Sequence, residues 1–170
     1  MHLRLMTVNR ITDRDGCIAV NIGEYKVGYG NVKLATWGLG SCIAIILYDG
    51  GRSLGGLGHA LLPKPSSEHN TLNFRKRYAT TLIDLMVNRM IALGSEIADM
   101  EAALIGGARV IPNLNSHIGE RNAIAAKERL REWGIKIAFQ DIGGRSGRNV
   151  LFYVRDGKVF VAYTLRKGFR

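Results

Sequence analysis

Short apolar runs separated by glycine-rich turns occupy much of the first third of the chain and predict β-strands. The run at residues 43–48 is almost wholly apolar, which is typical of a strand buried on both faces. The run at residues 57–62 follows after a turn and is its predicted antiparallel neighbour. Two further strands are predicted at residues 17–22 and 24–29, and residues 34–36 lead into a glycine-punctuated turn.

From Thr71 onward the apolar spacing changes from two to about 3.6 residues, which predicts one amphipathic helix ending near Gly94. A second helix is predicted at residues 118–133, stopping at Gly134. The remaining predicted elements are strands at residues 100–105 and 135–140, loops at 111–117 and 141–149, and a hairpin formed by residues 150–154 and 159–164.

These elements predict a single α/β domain, in which mixed β-sheet layers carry two main packed helices, an α/β sandwich. Residues 12–16 are polar and turn-like, and residues 1–16 are expected to form a flexible leader. The domain proper is expected to span residues 17–164, and residues 165–170 to form a basic tail.

The composition fits one soluble domain without covalent staples. The chain has 170 residues, of which 46% are hydrophobic, and no apolar run reaches the ~18 residues of a membrane span. The N-terminal segment lacks the apolar core of a secretory signal, so a cytoplasmic location is expected. Its two cysteines do not suggest a disulfide framework, and Cys17 is interpreted as a structural residue.

The net charge of +10 indicates affinity for anions, whether solutes, an acidic partner or a lipid surface. Nucleic-acid binding is the minority interpretation, because the basic residues are dispersed and aromatic residues make up only 8% of the chain. We therefore expect no nucleic-acid partner. A basic nucleic-acid binder stays an alternative, recognisable by affinity that falls steeply with salt.

A cysteine and a histidine lie on either side of the predicted hairpin. Cys42 stands at the entrance of the first strand and His59 lies in the second, so the strand pairing can bring them together. An imidazole can take the proton of a thiol, which makes the sulfur a nucleophile, and can then protonate a leaving group. Each residue alone is more often a buried structural one. Gly38 and Gly40 allow sharp turns that bring backbone N–H groups close to an oxyanion.

The motif Thr-x-Gly-Leu-Gly-Ser-Cys at residues 36–42, followed 17 positions after Cys42 by His-x-x-Leu-Pro, resembles the CheD family of chemoreceptor glutamine deamidases. The resemblance extends from about Gly23 to Tyr163. Further matching segments are Gly106-Gly107-Ala108, Ile118-Gly119-Glu120-Arg121-Asn122 and Asp141-Ile142-Gly143-Gly144 with Arg148.

The resemblance implies a cysteine-dependent amidohydrolase that converts receptor glutamines to glutamate through a thioester, without a cofactor or metal. Cys42 would be the nucleophile, His59 the acid and base, and Thr36 the group that orients the imidazole. The residues expected to bind the substrate or the oxyanion are Gly38, Gly40, Ser41, Gly106 and Gly107. The implied partners are methyl-accepting chemotaxis receptors, which would be the only link to the membrane, and the CheC phosphatase. Esterase activity on receptor methyl esters is also implied.

Besides the nucleic-acid binder, three further alternatives remain. In the first, the protein is a non-catalytic adaptation module that binds receptors and CheC. In the second, Ser41 is the nucleophile, although the glycines that a nucleophile elbow needs two positions on either side of it are missing. The third is a zinc site, for which the short ligand spacings are absent; its candidate ligands are Cys42, His59, His69 and His117.

Trp37 replaces a smaller aliphatic residue usual in the family, and its ring is expected to reshape the pocket edge.

Overall fold

Two five-stranded sheets and the helices that cover one of them form the fold. The computed structural model describes residues 1–12, 15–65, 72–110 and 117–164, with residues 72 and 73 as backbone only. The strands are β1 Arg4–Val8, β2 Cys17–Ala19, β3 Tyr25–Tyr29, β4 Lys33–Leu39, β5 Ile43–Asp49, β6 Leu54–Ala60, β7 Met100–Gly106, β8 Lys136–Ile142, β9 Arg148–Tyr153 and β10 Lys158–Tyr163. The helices are α1 Leu72–Arg75, α2 Ala79–Ala92 and α3 Ile118–Glu132, and a short 3₁₀ turn spans Ile97–Asp99.

Both sheets are mixed. The first sheet has the strand order β1-β10-β9-β4-β2, and the second has the order β3-β6-β5-β7-β8. The parallel pairs are β1 with β10, β2 with β4 and β7 with β8, while the other neighbours are antiparallel. The predicted α/β sandwich of mixed sheets with two main helices is therefore confirmed.

Strand β5 lies at the centre of the core. Its residues alternate between two buried layers, as side chains of a strand must. Ile45 and Leu47 pack in the layer beneath helices α2 and α3, whereas Ile46 and Tyr48 pack in the layer between the two sheets. All seven residues of β5 are buried, which confirms the prediction from its apolar run. Burying each such aliphatic side chain contributes about 1.5–3 kcal/mol to the free energy of folding relative to leaving it exposed.

The single helix predicted from Thr71 is wrong in the described part, because α1 and α2 are separate. The N–H groups of Leu61 and Leu62 both donate to the carbonyl of Arg77, and the N–H of Ala79 donates to the carbonyl of Leu62. The chain leaving β6 therefore uses backbone groups that a continuous helix would need for itself. Thr71 lies outside the described residues.

The N-terminal segment also differs from its prediction as a flexible leader. Arg4–Val8 pairs in parallel with β10, and Leu3 and Ile11 are buried at 6% and 4% exposure. The partner strand lies about 150 residues later in the chain, so a local pattern cannot show the pairing. Residues 13–14 and the predicted tail at 165–170 lie outside the described residues, and the domain bounds 17–164 stay a prediction.

The described elements of the C-terminal half follow their predictions closely, whereas residues 111–116 of a predicted loop lie outside the described residues. Helix α3 ends before Gly134, whose φ of 72° is the left-handed conformation that ends many helices. The predicted loop at 141–149 is shorter in the structure, because β8 extends to Ile142 and β9 begins at Arg148. The helices of the described segments include none that is long and apolar enough to span a membrane.

Candidate active site

The space between the two sheets holds the three residues singled out as a candidate triad. Ala44 is the cross-strand partner of His59, and Cys42 lies two residues before Ala44. Because side chains alternate along a strand, Cys42 and His59 share one face of the second sheet as diagonal neighbours. That face points at the first sheet, since Cys42 and Ala44 belong to the apolar layer between the sheets. Thr36 lies on β4 of the first sheet, two residues after Leu34 of the same layer.

A chain of hydrogen bonds fixes the imidazole of His59. The Thr36 hydroxyl lies 2.7 Å from His59 Nδ1 and donates to the carbonyl of Val20 at 2.8 Å. A hydroxyl has one hydrogen, and a carbonyl can only accept. Thr36 therefore accepts from His59, so Nδ1 carries the proton and Nε2 carries the lone pair. Nε2 is buried and has no hydrogen-bond partner among the described residues.

The backbone of His59 is held as firmly as its ring. The His59 N–H donates to the carbonyl of Glu24 at 3.0 Å, and the Gly23 N–H donates to the His59 carbonyl at 2.8 Å. Gly23 makes this turn with a φ of 76°, which a residue with a Cβ rarely adopts. The position of the imidazole is thus set by Thr36 and by the backbone of Gly23 and Glu24.

Burial keeps both partners of the candidate pair neutral. Burial lowers the pKa of the His59 imidazole from 6.5 to about 4, an effect that the Val20 carbonyl partly offsets. Burial also raises the pKa of the Cys42 thiol, while the N–H of Cys42 itself acts in the opposite direction. At neutral pH the resting pair is therefore a thiol beside a neutral imidazole, and Nε2 is free to accept a proton.

This burial predicts a specific loss of stability in acid. The unfolded chain takes up a proton at His59 near pH 6.5, whereas the folded chain keeps the ring neutral to about pH 4. The contribution of the neutral ring to the free energy of unfolding is therefore fully present above about pH 6.5 and falls as the pH drops toward 4. The expected loss is about 2–3 kcal/mol at about pH 4.5. Glutamine cannot titrate. Between about pH 7 and 4.5, the free energy of unfolding of His59→Gln, measured by urea titration, is therefore expected to fall by about 2–3 kcal/mol less than that of the wild type. Equal losses in both proteins would contradict a buried neutral imidazole.

The loop before Cys42 is tied to the turn after β7. The Ala108 N–H donates to the carbonyl of Gly40, and the Gly107 N–H donates to the carbonyl of Cys42, both at 2.8 Å. Gly106 has a φ of 116°, and a Cβ there would lie 2.4 Å from the Cys42 carbonyl oxygen. This close approach requires glycine and places the turn directly beside the candidate nucleophile.

The five glycine and serine positions expected to bind the oxyanion or substrate are not equivalent. The Gly38 N–H donates to Oδ1 of Asn149 at 2.9 Å, and the Gly107 N–H is used by Cys42. Neither N–H is therefore free for an oxyanion in this arrangement. Gly40, Ser41 and Gly106 lie beside Cys42 in sequence or through the loop contacts, and their roles stay predictions.

Two other sequence interpretations concern residues on the far side of the first sheet. Trp37 packs against the cluster on that outer face, so its ring does not form the edge of the site between the sheets, contrary to the expectation. Strand alternation explains this, because Thr36 points inward and Trp37 outward. Cys17 lies in β2, unbonded to Cys42, and packs against the same outer cluster.

Within residues 1–12, 15–65, 72–110 and 117–164, no group of three or more His, Cys, Asp or Glu is placed to hold a metal ion. His69, one of the four candidate zinc ligands, lies outside these ranges. His117 precedes α3 with an exposed side chain 3.4 Å from Glu120.

Two residues at the site were missed by the sequence interpretation. Val20 accepts the hydrogen bond of Thr36 through its carbonyl, which no side-chain pattern can reveal. Asn122 of α3 is fully buried and donates to two carbonyls beside the site. A signal for Asn122 did exist, because it is a polar residue on the helix face otherwise formed by Gly119, Ala123 and Ala126.

Comparison with known proteins gives a consistent family. A family model described as CheD chemotactic sensory transduction matches residues 61–163. The "Probable chemoreceptor glutamine deamidase CheD 1" of Methanosarcina mazei is 40% identical over 161 residues, covering 93% of this chain and 70% of the relative. The "Probable chemoreceptor glutamine deamidase CheD" of Pyrococcus horikoshii is 41% identical over 145 residues, covering 84% and 89%.

The two kinds of sequence match differ in what they cover. The range matched by the family model begins after Thr36, Cys42 and His59, so that match does not bear on these residues.

Among solved structures, a hypothetical protein YfiH of Bacillus licheniformis shows a TM-score of 0.44 and 17% identity, covering 81% of this chain and 62% of that one. This likeness is too weak to support an inference.

Proposed function

Because the chain belongs to the CheD family, we propose that it is a chemoreceptor glutamine deamidase that uses Cys42 as its nucleophile. The observation that carries this proposal is the buried imidazole of His59. Its Nδ1 is fixed by Thr36. Its Nε2 has no hydrogen-bond partner among the described residues, and the ring lies on the sheet face that also carries Cys42. An amide hydrolase of this class needs such a base beside a thiol.

The first half of the reaction forms a thioester. His59 Nε2 takes the thiol proton as the Cys42 sulfur attacks the carboxamide carbon of a glutamine side chain. Because burial raises the pKa of the thiol, proton removal must accompany the attack rather than precede it. The imidazolium then gives this proton to the departing amide nitrogen, which leaves as ammonia, and a glutamyl thioester remains on the sulfur.

The second half regenerates the protein. His59 Nε2 takes a proton from water, whose oxygen attacks the thioester carbon, and the carbon–sulfur bond breaks. The same proton returns to the sulfur, so one glutamine and one water yield one glutamate and one ammonia. Thr36 keeps the same nitrogen directed at the reacting atoms throughout.

The negative oxygen of each tetrahedral intermediate needs nearby donors. The N–H groups of Gly38 and Gly107 are already used, so we assign this role to the N–H groups of Ser41 and Cys42. The N–H of Cys42 lies close enough to the sulfur to affect its pKa. One such donor is typically worth about 3 kcal/mol of the barrier.

The recessed position of the thiol favours a long and unbranched substrate side chain. Cys42 is only 7% exposed, and His59 is 3% exposed. A glutamine carboxamide stands one methylene farther from the backbone than that of asparagine. A glutamine carboxamide therefore reaches farther into the protein than an asparagine carboxamide, which suits a recessed sulfur.

Replacing Thr36 tests the orienting role. Thr36→Val keeps the shape but removes the hydroxyl, which leaves His59 Nδ1 and the Val20 carbonyl unpaired. We expect kcat to fall about 10–100-fold, because the imidazole loses its fixed tautomer and orientation, and unfolding to become easier by about 1–3 kcal/mol. Thr36→Ser restores the hydroxyl and is expected to recover most of kcat. Equal kcat for the valine and serine variants would contradict this role.

The proposed substrate and partners follow from the family. The substrate would be the cytoplasmic part of a methyl-accepting chemotaxis receptor, which places the protein in the cytoplasm. Binding of CheC and hydrolysis of receptor methyl esters belong to the same proposal, since an ester can be attacked by the same thiol. The net charge of +10 supports a substrate or surface of opposite charge.

The test is ammonia release from a purified receptor cytoplasmic fragment, with mass spectrometry locating each glutamine that becomes glutamate. The proposal predicts release that requires the folded protein and maps to a few glutamines. Absence of release, while the protein still binds the receptor or CheC, would show a non-catalytic adaptation module instead.

A further inference from the structure

Asn122 is a fully buried amide at a helix face that is otherwise formed by small residues. It has no solvent exposure, and its face neighbours on α3 include Gly119, Ala123 and Ala126. A buried amide is costly unless it forms hydrogen bonds. Only Nδ2 forms hydrogen bonds, since Oδ1 is buried without a partner among the described residues, so the contacts of Nδ2 indicate why the position holds a polar residue.

Both hydrogens of the Asn122 amide are used on the two segments that carry the candidate pair. Nδ2 donates to the carbonyl of Ser41 at 2.9 Å and to the carbonyl of Leu61 at 3.0 Å. Ser41 directly precedes Cys42, and Leu61 follows His59 by two residues. Since both partners are carbonyls, only the NH₂ end of the amide can face them.

The two hydrogen bonds of Asn122 lie just beyond the point where the pairing of β5 with β6 stops. The pairing of β5 with β6 begins at Ile43 and Ala60, and the Leu61 N–H beyond it donates to Arg77 instead. The pairing of the two strands therefore does not extend to Cys42. Asn122 spans this gap with one side chain.

The helix that carries Asn122 is itself held in place. A Cβ on Gly119 would lie 2.5 Å from the Gly107 carbonyl oxygen, so α3 packs directly against the turn beside Cys42. Farther along α3, Arg129 pairs with Asp84 of α2 at 2.6 and 2.7 Å. A donor on a fixed helix can set a distance in a way that a donor on a loop cannot.

We propose that Asn122 is a positioning residue that sets the spacing between the Cys42 thiol and the His59 imidazole. This inference rests on the proposed deamidase function. It assigns a role in catalysis to a residue that touches neither the substrate nor the reacting atoms. Small displacements of reacting groups cost large factors in rate, so the effect is expected in kcat rather than in substrate binding.

The test compares Asn122→Asp and Asn122→Ala with Ser95→Ala. Asn122→Asp keeps the shape but turns an oxygen toward two carbonyls, and Asn122→Ala removes the amide. Ser95 is a matched control, because it is 3% exposed and donates to Asp49 at the opposite end of β5. We expect kcat to fall about 10–100-fold in both Asn122 variants, with KM within about threefold of wild type, and kcat of Ser95→Ala to stay within about twofold.

A second measurement does not depend on the substrate. In a Cys17→Ser background, the rate of Cys42 alkylation by iodoacetamide is measured with and without His59→Ala. The acceleration due to His59 is expected in the Ser95→Ala protein and is expected to be lost in the Asn122 variants. This readout separates the two claims, since it holds even if the wild type releases no ammonia and the deamidase proposal fails.

The inference is overturned if wild type deamidates and a folded Asn122 variant retains its kcat, or if KM alone rises. It is also overturned if the alkylation acceleration survives in the Asn122 variants. Unfolding of both variants would overturn it as well, because Asn122 would then determine the fold rather than the spacing of the pair.

Discussion

Cys42→Ala is expected to lower the rate of receptor glutamine deamidation by at least about 10³-fold, since the nucleophile of the proposed reaction is removed. Water would then have to attack the carboxamide directly, and a carboxamide is a poor electrophile with a poor leaving group. The fold should persist, because alanine fills most of the space of a buried cysteine that packs in an apolar layer.

The matched control for this variant is Cys17→Ala. Cys17 is the other cysteine and packs on the outer face of the first sheet, so its loss should leave kcat unchanged. Ammonia release and thermal unfolding measured on both variants separate chemistry from stability. Retention of wild-type activity by Cys42→Ala would refute the proposed nucleophile.

His59→Gln is expected to lower kcat by about 10²–10⁴-fold, which is the range that a general acid–base group typically supplies. The reason is the state of the thiol. Burial raises the pKa of Cys42, so little thiolate exists at neutral pH without a base to remove the proton. His59, with its pKa lowered to about 4 by burial, is neutral and able to serve as that base.

The pH dependence of the same variant distinguishes a base from a merely structural histidine. The wild-type rate should be nearly flat over about pH 6–8, because His59 stays unprotonated there. The residual rate of His59→Gln should instead rise about tenfold per pH unit, since it depends on the thiolate fraction below the thiol pKa. A parallel, flat profile for both proteins would show that His59 does not take the thiol proton.

The pairing of β5 with β6 could be predicted from the sequence because it is local. A buried apolar run, a short turn and a second run are enough to predict neighbouring antiparallel strands, and that pairing places Cys42 and His59 on one face. The end of α3 at Gly134 is local in the same sense.

Features that depend on distant parts of the chain could not be predicted. Strand β1 pairs with β10, and its partner is almost the whole chain away. The helix break before Ala79 arises because the Arg77 carbonyl bonds to Leu61 and Leu62, which no periodicity within the helix reveals. Trp37 is different, since strand alternation from Thr36 would have placed it on the outer face.

The tautomer of His59 belongs to the same class of hidden features. The resemblance pointed to Thr36, but the direction of its hydrogen bond depends on the Val20 carbonyl, a backbone group about 40 residues before His59. Only the assembled sheets show that Thr36 must accept from Nδ1. The chemical use of Nε2 therefore follows from structure rather than from motif.

The most direct test of the account is a rapid-quench experiment in which the protein is mixed with a glutamine-containing receptor peptide and its intact mass is measured in acid. The account predicts a transient adduct on Cys42 equal to the peptide less ammonia, absent in Cys42→Ala. Deamidation that proceeds at the wild-type rate in Cys42→Ala, with no adduct on the wild type at any time, would contradict it.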